Sequence, residues 1–325
     1  MSGPVVLSGN TLAAGIIARF ENTYRQSYQG ELADLGNCME LAVPAATRTV
    51  TYAMHDTAPY PSRQELGDPV KREAFQSKTM QVTNYEYSAF INWYRRDRTD
   101  NQVGDLMGHA ATAAMHYMSL DSRALIEMAT GTLDLLPANP TAPDGAILYS
   151  TTDGNAAARF GVSNGNIEGG AGVTAANITT DWHSVLARFD AFQNTKGQPF
   201  FPVSTSGTTY TIYAPSDLRA VFIEAFKAQL IQGTAAAPSN TIIASGENIR
   251  LVFTPRLSGT NDWLVFRNDV PVKPVFGQVR QPLKTFVSTE ENSDEARNTG
   301  IEGVKFTAEM GWGINVPFGT IKVSN

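Results

Sequence analysis

The sequence predicts an α+β fold drawn out along its length rather than gathered around one centre. Three observations carry that expectation. Between 46 and 100, a charged stretch poor in core residues separates two alternating apolar runs. From 102 to 130 an apolar stripe continues unbroken, and as one helix it would span ~42 Å. From 181 to 270 amphipathic helices alternate with short β-rich runs, and more such runs follow. Composition agrees. Charged residues are 17% of the 325, against a typical ~25%, so the chain either buries much of its surface or gives it to partners.

Each element has its own warrant. Residues 9–30 read as a helix with Asn10 as cap, Leu12, Ile16, Phe20, Tyr24 and Tyr28 on one face, and Gly30 as the stop. Of the 55 residues from 46 to 100, 15 are charged, a density well above the chain average. Thr47 to Met54 alternates like a strand, and Met80 to Ile91 is rich in aromatic and β-branched residues. Between them, Pro59 to Glu73 holds prolines, turn residues and both charge signs. The whole reads as a two-stranded excursion with a charged tip. A lone ribbon is marginal in water, so something outside it must hold it down. The 102–130 helix carries Val103, Leu106, Met107, Ala110, Ala114, Met118 and Leu125 in its stripe and ends at Gly131.

Residues 131–180 are unusual. Gly, Ala, Ser, Thr, Asn and Pro fill 34 of the 50 positions and five are charged. A structureless loop of that length would be rare, so short strands are expected. Further on, Asp181 is expected to cap a helix that turns Trp182, Val185, Leu186, Phe189 and Phe192 inward. Thr209–Tyr213 reads as a strand. Pro215 opens a helix with Leu218, Val221, Phe222 and Phe226, stopped by Gly233. Strands are expected at Thr241–Ala244, Ile249–Phe253, Trp263–Arg267, Val275–Arg280, Val304–Met310 and Thr320–Val323, with an acidic turn at Glu290–Glu295. No internal repeat of solenoid or propeller length is visible.

Several function classes are disfavoured. A net charge of −6 and a pI near 5.3 argue against a dedicated nucleic-acid binder. Cys38 is the single cysteine, which leaves no internal disulfide and no cysteine-based zinc site. The start lacks a basic segment before its apolar residues, and no window approaches the ~18 apolar residues of a membrane span. The expectation is therefore a protein without membrane attachment.

Motifs with chemistry are sparse. Gly161-Val162-Ser163-Asn164-Gly165 matches the G-x-S-x-G pattern of a hydrolase nucleophile, which works only as a turn from a core strand into a helix. The residues after it, Asn166 to Gly172, do not read as a helix, so a plain turn is expected. A hydrolase pairing Ser163 with His183 stands as the alternative reading. His109 and His116 are seven apart, about 10 Å along a helix, too far for one zinc. Arg95, Arg96 and Arg98 lie among Asp97 and Asp100 and read as a salt-bridged surface. No phosphate loop and no dinucleotide fingerprint is present. No catalytic, cofactor or metal residue is assigned.

The order of parts resembles the Hong Kong 97-like major capsid fold of tailed bacteriophages and, more narrowly, the Mu-type major head subunit family. Phe20 and Tyr24 to Leu35 resemble the family's opening helix. Pro44 to Trp93 gives the fullest match, through Thr49-Val50-Thr51-Tyr52-Ala53-Met54, the tip with Arg63-Gln64-Glu65-Leu66-Gly67, and Val82-Thr83-Asn84-Tyr85-Glu86. Arg98-Thr99-Asp100-Asn101 resembles the approach to its spine helix. Leu257 with Asp262 to Phe266, and Lys273 to Arg280, resemble its tryptophan strand and P-x-x-x-Q-x-R segment, and Gly311-Trp312-Gly313 its closing strand. Met54-His55-Asp56 departs from the family's Trp-Leu-Gly, Asp144 to Tyr149 replaces its Asp-Gly-Gln-Phe-Phe, and 150–180 has no counterpart.

That resemblance implies an N-terminal arm over 1–45 and an extended β-loop over 46–95. It implies a peripheral domain over 96–180 and 271–325 with a spine helix at 102–130, and an axial domain over 181–270. It implies a structural protein, not an enzyme and without cofactor. Such a subunit self-assembles as pentamers and hexamers into an icosahedral shell around packaged double-stranded DNA. It is made in the bacterial host cytoplasm and ends in the virion. Its partners would be further copies of itself, a separate scaffolding protein, a portal, DNA met non-specifically at the inner face, and in some relatives a decoration protein. The candidate inter-subunit contacts are Arg63, Glu65, Asp68, Lys71, Arg72 and Glu73. Another phage structural protein, of decoration or tail type, is the other alternative. A plate-like subunit should also expose more than the ~13,000 Å² of a compact 35.1 kDa monomer.

Overall fold

A computed structural model describes residues 8–55, 77–99, 105–194, 197–201, 208–227, 242 and 246–325. The chain is a mixed helix–sheet fold, with three separate sheets among the described residues. The tip residues Arg63, Glu65, Asp68, Lys71, Arg72 and Glu73 lie outside the described residues, as do Gly233 and nearly all of the expected strand 241–244.

The first sheet has the order β1-β9-β10-β4, from β1 (Met39–Pro44), β4 (Tyr85–Tyr94), β9 (Val275–Ser288) and β10 (Ile301–Ile314). Helices α1 (Gly9–Cys38) and α3 (Leu106–Met118) share a core with it, formed by Leu12, Ile16, Phe20, Ile91, Trp93, Ala110, Ala114, Val304 and Phe306. The stripe predicted for the first helix does this packing: the Phe20 ring stacks 3.8 Å from that of Phe306. The N-terminal segment thus lies against its own sheet. Its cap is Ser8, whose hydroxyl accepts from Thr11 N–H at 3.1 Å, not Asn10, whose side chain instead accepts from Thr289 Oγ1 at 2.8 Å. Gly30 does not stop the helix. The next two turns carry Leu35 and Cys38 into the core, and that burial outweighs the ~1 kcal/mol cost of an internal glycine.

The expected 102–130 helix is two helices among the described residues, α3 and α4 (Leu120–Thr130), joined at Ser119. The Ser119 hydroxyl donates to His116 O at 3.0 Å, a local bond that competes with helix continuation. Gly131 ends α4 as predicted, in the left-handed conformation at φ 74°.

The second sheet has the order β5-β11-β8-β6-β7, from β5 (Ile167–Gly169), β6 (Thr209–Pro215), β7 (Asn248–Thr254), β8 (Trp263–Arg267) and β11 (Thr320–Ser324). Against it pack α5 (Ala175–Ala191) and α6 (Arg219–Lys227), through Trp182, Phe189, Phe222, Phe226, Tyr210 and Trp263. Thr174 caps α5, its side chain accepting from Asn177 N–H. Asp181 is not the cap. It sits buried inside the helix and accepts from Ala171 N–H at 2.9 Å. A third cluster, with α4, Leu264, Phe266, Trp312 and Ile314, joins the two sheets.

Residues 131–180 hold fewer strands than expected: β5 and one isolated bridge, Thr152 to Ala158. The region is ordered instead by the buried Arg159, which donates to both Asp144 oxygens and to Ile147 O and Leu148 O. Small residues let the backbone fold closely around that one guanidinium. Helix α7 (Asp294–Thr299) starts at the end of the acidic turn and runs past it. The chain exposes 16,873 Å², above the ~13,000 Å² compact value. No described helix is long and apolar enough to cross a membrane.

Candidate assembly surface

The features with possible chemistry resolve into structure. In the Gly161–Gly165 stretch, Gly165 has φ 53° and accepts its place because a Cβ there would strike Ser150 O. A three-residue strand follows it, not a helix. Ser163 and His183 are both exposed, and the strand-to-helix geometry of a nucleophile turn is missing. His109 pairs with Asp105 at 3.2 Å. Among the described residues no cluster of His, Cys, Asp or Glu is suited to hold a metal ion. Burial pushes the Cys38 thiol far above its usual range, which keeps it inert. A cavity of about 430 Å³ is lined by Asp144, Arg159, Phe160, Phe200 and Asn315, among others. Its strongest polar group, Arg159, is already bound to Asp144.

The three arginines are salt-bridged, as the sequence indicates: Arg96 pairs with the adjacent Asp97 at 3.5 Å, and the other two with distant carboxylates. Arg95 and Arg98 reach Glu290 at 3.0 and 2.9 Å, and Arg98 reaches Glu302 at 3.1 Å. Glu302 is fully buried and also accepts from Trp93 Nε1 at 2.8 Å. The bonds from Arg95 and Arg98 hold the Glu290 carboxyl below its ordinary pKa. Glu127 is a second anchor. Burial alone would raise its pKa, but the N–H groups of Leu136, Asp134 and Leu135, with Arg123, hold it below the usual range. Its carboxylate thereby caps the turn after α4.

The ribbon is held by a separate set of contacts. Strands β2 (Thr49–His55) and β3 (Ser77–Thr83) pair antiparallel in an unbroken register from Thr49–Thr83 to His55–Ser77. The run expected as one second strand divides at Asn84. Its buried side chain donates to Thr47 O and Arg48 O, both at 3.1 Å, and closes the ribbon's base, while β4 continues into the four-stranded sheet. The hold-down that a lone ribbon requires is visible at this base. Tyr52 Oη donates to Gln278 Oε1 at 2.7 Å, and Gln278 Nε2 donates to Val82 O at 3.2 Å. Met80, Val82 and Phe276 form a small core there. Gly313 makes room for it, since a Cβ would lie 2.6 Å from the Phe276 ring and 2.7 Å from Val82. The ribbon is thus pinned at its base.

No family model matches the sequence, and no curated protein matches it. Solved structures do match in fold. The capsid structure of the cyanophage P-SCSP1u is 12% identical, with 88% of this chain and 86% of that chain covered at a TM-score of 0.52. The capsid of an empty GTA particle is 10% identical, with 90% of each chain covered, also at 0.52. The virus-like particle from Pyrococcus furiosus is 8% identical, with 93% of this chain and 96% of that chain covered at 0.50. The chain therefore has the fold of phage capsid proteins, and these neighbours are capsid structural proteins, not enzymes.

Proposed function

We propose that this chain is the major head subunit of a tailed bacteriophage. It assembles as pentamers and hexamers into an icosahedral shell that encloses double-stranded DNA. The observation that carries the reading is the fold likeness to capsid structures, which extends over nearly nine-tenths of both chains. The ribbon held at its base supports it, because an excursion of this kind suits contact with a neighbouring subunit. In this reading the tip residues Arg63, Glu65, Asp68, Lys71, Arg72 and Glu73 meet that neighbour. Residues 181–270, with α5 and α6 on the second sheet, form the axial domain, and the first sheet with α3 and α4 forms the peripheral domain. A separate scaffolding protein sets the size, a portal occupies one vertex, and the mature location is the virion. The narrower likeness to Mu-type head subunits rests on the sequence motifs alone.

Negative-stain microscopy with sedimentation velocity tests the reading. Thin-walled shells, or rings of five and six subunits, are expected. A monomer or dimer that stays so with its scaffold present would overturn it.

A further inference from the structure

The two edges of the first sheet are treated very differently by the sequence. Among the described residues, strand β9 has an open side beyond its short pairing with β1, which ends at Val279. That open half carries Arg280, Pro282 and Lys284, and its register with β10 shifts around Gln281. Charges, proline and irregular register are the usual devices that stop an edge from pairing. Strand β1 has its own, with a register shift between Glu40 and Val43 and Ala42 at φ 56°. Strand β4 has none of them. It is ten residues long, free of proline and in unbroken register with β10. Its single charge, Glu86, is already paired with Lys305 at 2.8 Å. Phe90 and Tyr94 stand more than half exposed.

The hydrogen-bond phase of β4 shows which groups no other described strand takes up. Arg95 N–H donates to Gly300 O at 2.9 Å, so the odd-numbered residues of β4 exchange bonds with β10. In an antiparallel ladder the alternate residues then direct their N–H and C=O groups to the other side. Those are Glu86, Ser88, Phe90, Asn92 and Tyr94. Beside them runs a groove of about 660 Å³, whose helix wall includes His109, Thr112, Ala113 and His116 of α3. Edge and groove together form a step that takes one more strand.

We infer that this step is a two-fold joint between two copies of the chain, in which β4 pairs antiparallel with β4 of the second copy about Phe90. The edge is self-complementary in that register. Phe90 falls opposite Phe90, Ser88 opposite Asn92, and Glu86 opposite Tyr94, so no charge faces its like. The Phe90 ring folds over Gly303, whose Cβ would lie 2.5 Å from it, which keeps the ring out of the neighbouring strand's path. The α3 wall presents small or short side chains at Thr112 and Ala113, where the second copy's helix would approach. The inference goes beyond the shell reading and does not depend on it. In a shell it would supply a joint across a local two-fold.

Cysteine cross-linking tests the register. Hydrogen-bonded antiparallel pairs place their Cα atoms ~5.5 Å apart, inside the ~4.4–6.8 Å span of a disulfide. Phe90→Cys protein, oxidised by oxygen with copper–phenanthroline, should run as a dimer on non-reducing gels. The native Cys38 is buried, so background should be low. Ser88→Cys and Asn92→Cys should each stay unlinked alone, because like positions are then offset by ~13 Å along the strand, yet should cross-link when mixed. Ser88→Pro removes an outward N–H without touching the pairing with β10, and it should lower the dimer fraction in sedimentation while the melting temperature holds. Free Phe90→Cys thiols, or Ser88→Cys linking to itself as readily, would overturn the proposal. So would a Ser88→Pro protein that dimerises like the parent. Shells that form with every thiol unlinked would keep the capsid reading and remove this joint. A cross-linked dimer that never forms shells would do the reverse.

Discussion

Replacing Arg98 by methionine tests whether the carboxylate cluster beside α2 (Arg95–Thr99) holds the fold together. The Arg98 side chain is 6% exposed and lies between Glu290 at 2.9 Å and Glu302 at 3.1 Å. Glu302 is 0% exposed. Without the guanidinium it keeps two neutral donors, Trp93 Nε1 at 2.8 Å and Glu290 N–H at 3.2 Å, but a buried negative charge loses a direct counter-ion. Breaking a buried pair from one side typically costs ~3–5 kcal/mol. Methionine fills most of the arginine stem's volume, so little of that loss should come from a cavity. Denaturant unfolding at neutral pH should show a fall of about that size at unchanged slope. The double variant Arg98→Met/Glu302→Gln should recover part of it, because the stranded charge is gone. A single variant within ~1 kcal/mol of the parent would refute the reasoning. A double variant as unstable as the two single losses added together would also do so, since it would leave the pair without coupling.

Three further outcomes can be checked. Glu290 has a depressed folded-state pKa, so its contribution is present above the ordinary carboxylate range and is lost as pH falls through the lowered value. Glu290→Gln should therefore flatten the acid limb of a stability–pH curve, measured by melting temperature from pH 7 to pH 3, and an unchanged limb would count against the assignment. Gly313→Val should cost ~1–3 kcal/mol by overpacking and should raise hydrogen exchange in Ser77–Thr83, whereas unaltered exchange there would deny Gly313 its part in seating the ribbon. Reversing Arg63, Lys71 and Arg72 to glutamate should block shell formation in microscopy while the far-ultraviolet circular dichroism stays that of the parent, and normal shells would mean that the tip lies elsewhere.

Local pattern made much of the fold legible. The stripe Leu12, Ile16 and Phe20 is buried as its four-residue spacing requires. Trp182, Val185, Phe189 and Phe192 turn inward on α5, and Trp263–Arg267 is a strand with the bounds the sequence indicated. These elements are amphipathic or uniformly apolar, so neighbours in sequence carry the whole signal. The misplaced ends have one cause. Asn10, Gly30 and Asp181 each have the intrinsic preference of a cap or a stop, and each is overridden by a contact outside its own helical turn. Thr289 takes the Asn10 side chain, the core takes Leu35 and Cys38 beyond Gly30, and Ala171 N–H takes Asp181.

The long-range polar anchors were illegible for a related reason. Gln278 meets Tyr52 across 226 positions, and Glu302 meets Trp93 across 209. No spacing rule couples residues that distant, and a single sequence holds no covariation to reveal them. What the sequence does hold is the imbalance such partners correct. A charged excursion too poor in apolar residues to stand alone demanded a docking point, and the structure shows Gly313 leaving the room for it. The same logic applies to β4. Pro282 and Lys284 mark an edge built to refuse a neighbour, and the absence of any such residue from Tyr85 to Tyr94, apart from the paired Glu86, marks one built to accept it. Among paired strands, then, the protective residues that are missing say as much about assembly as the contacts that are present.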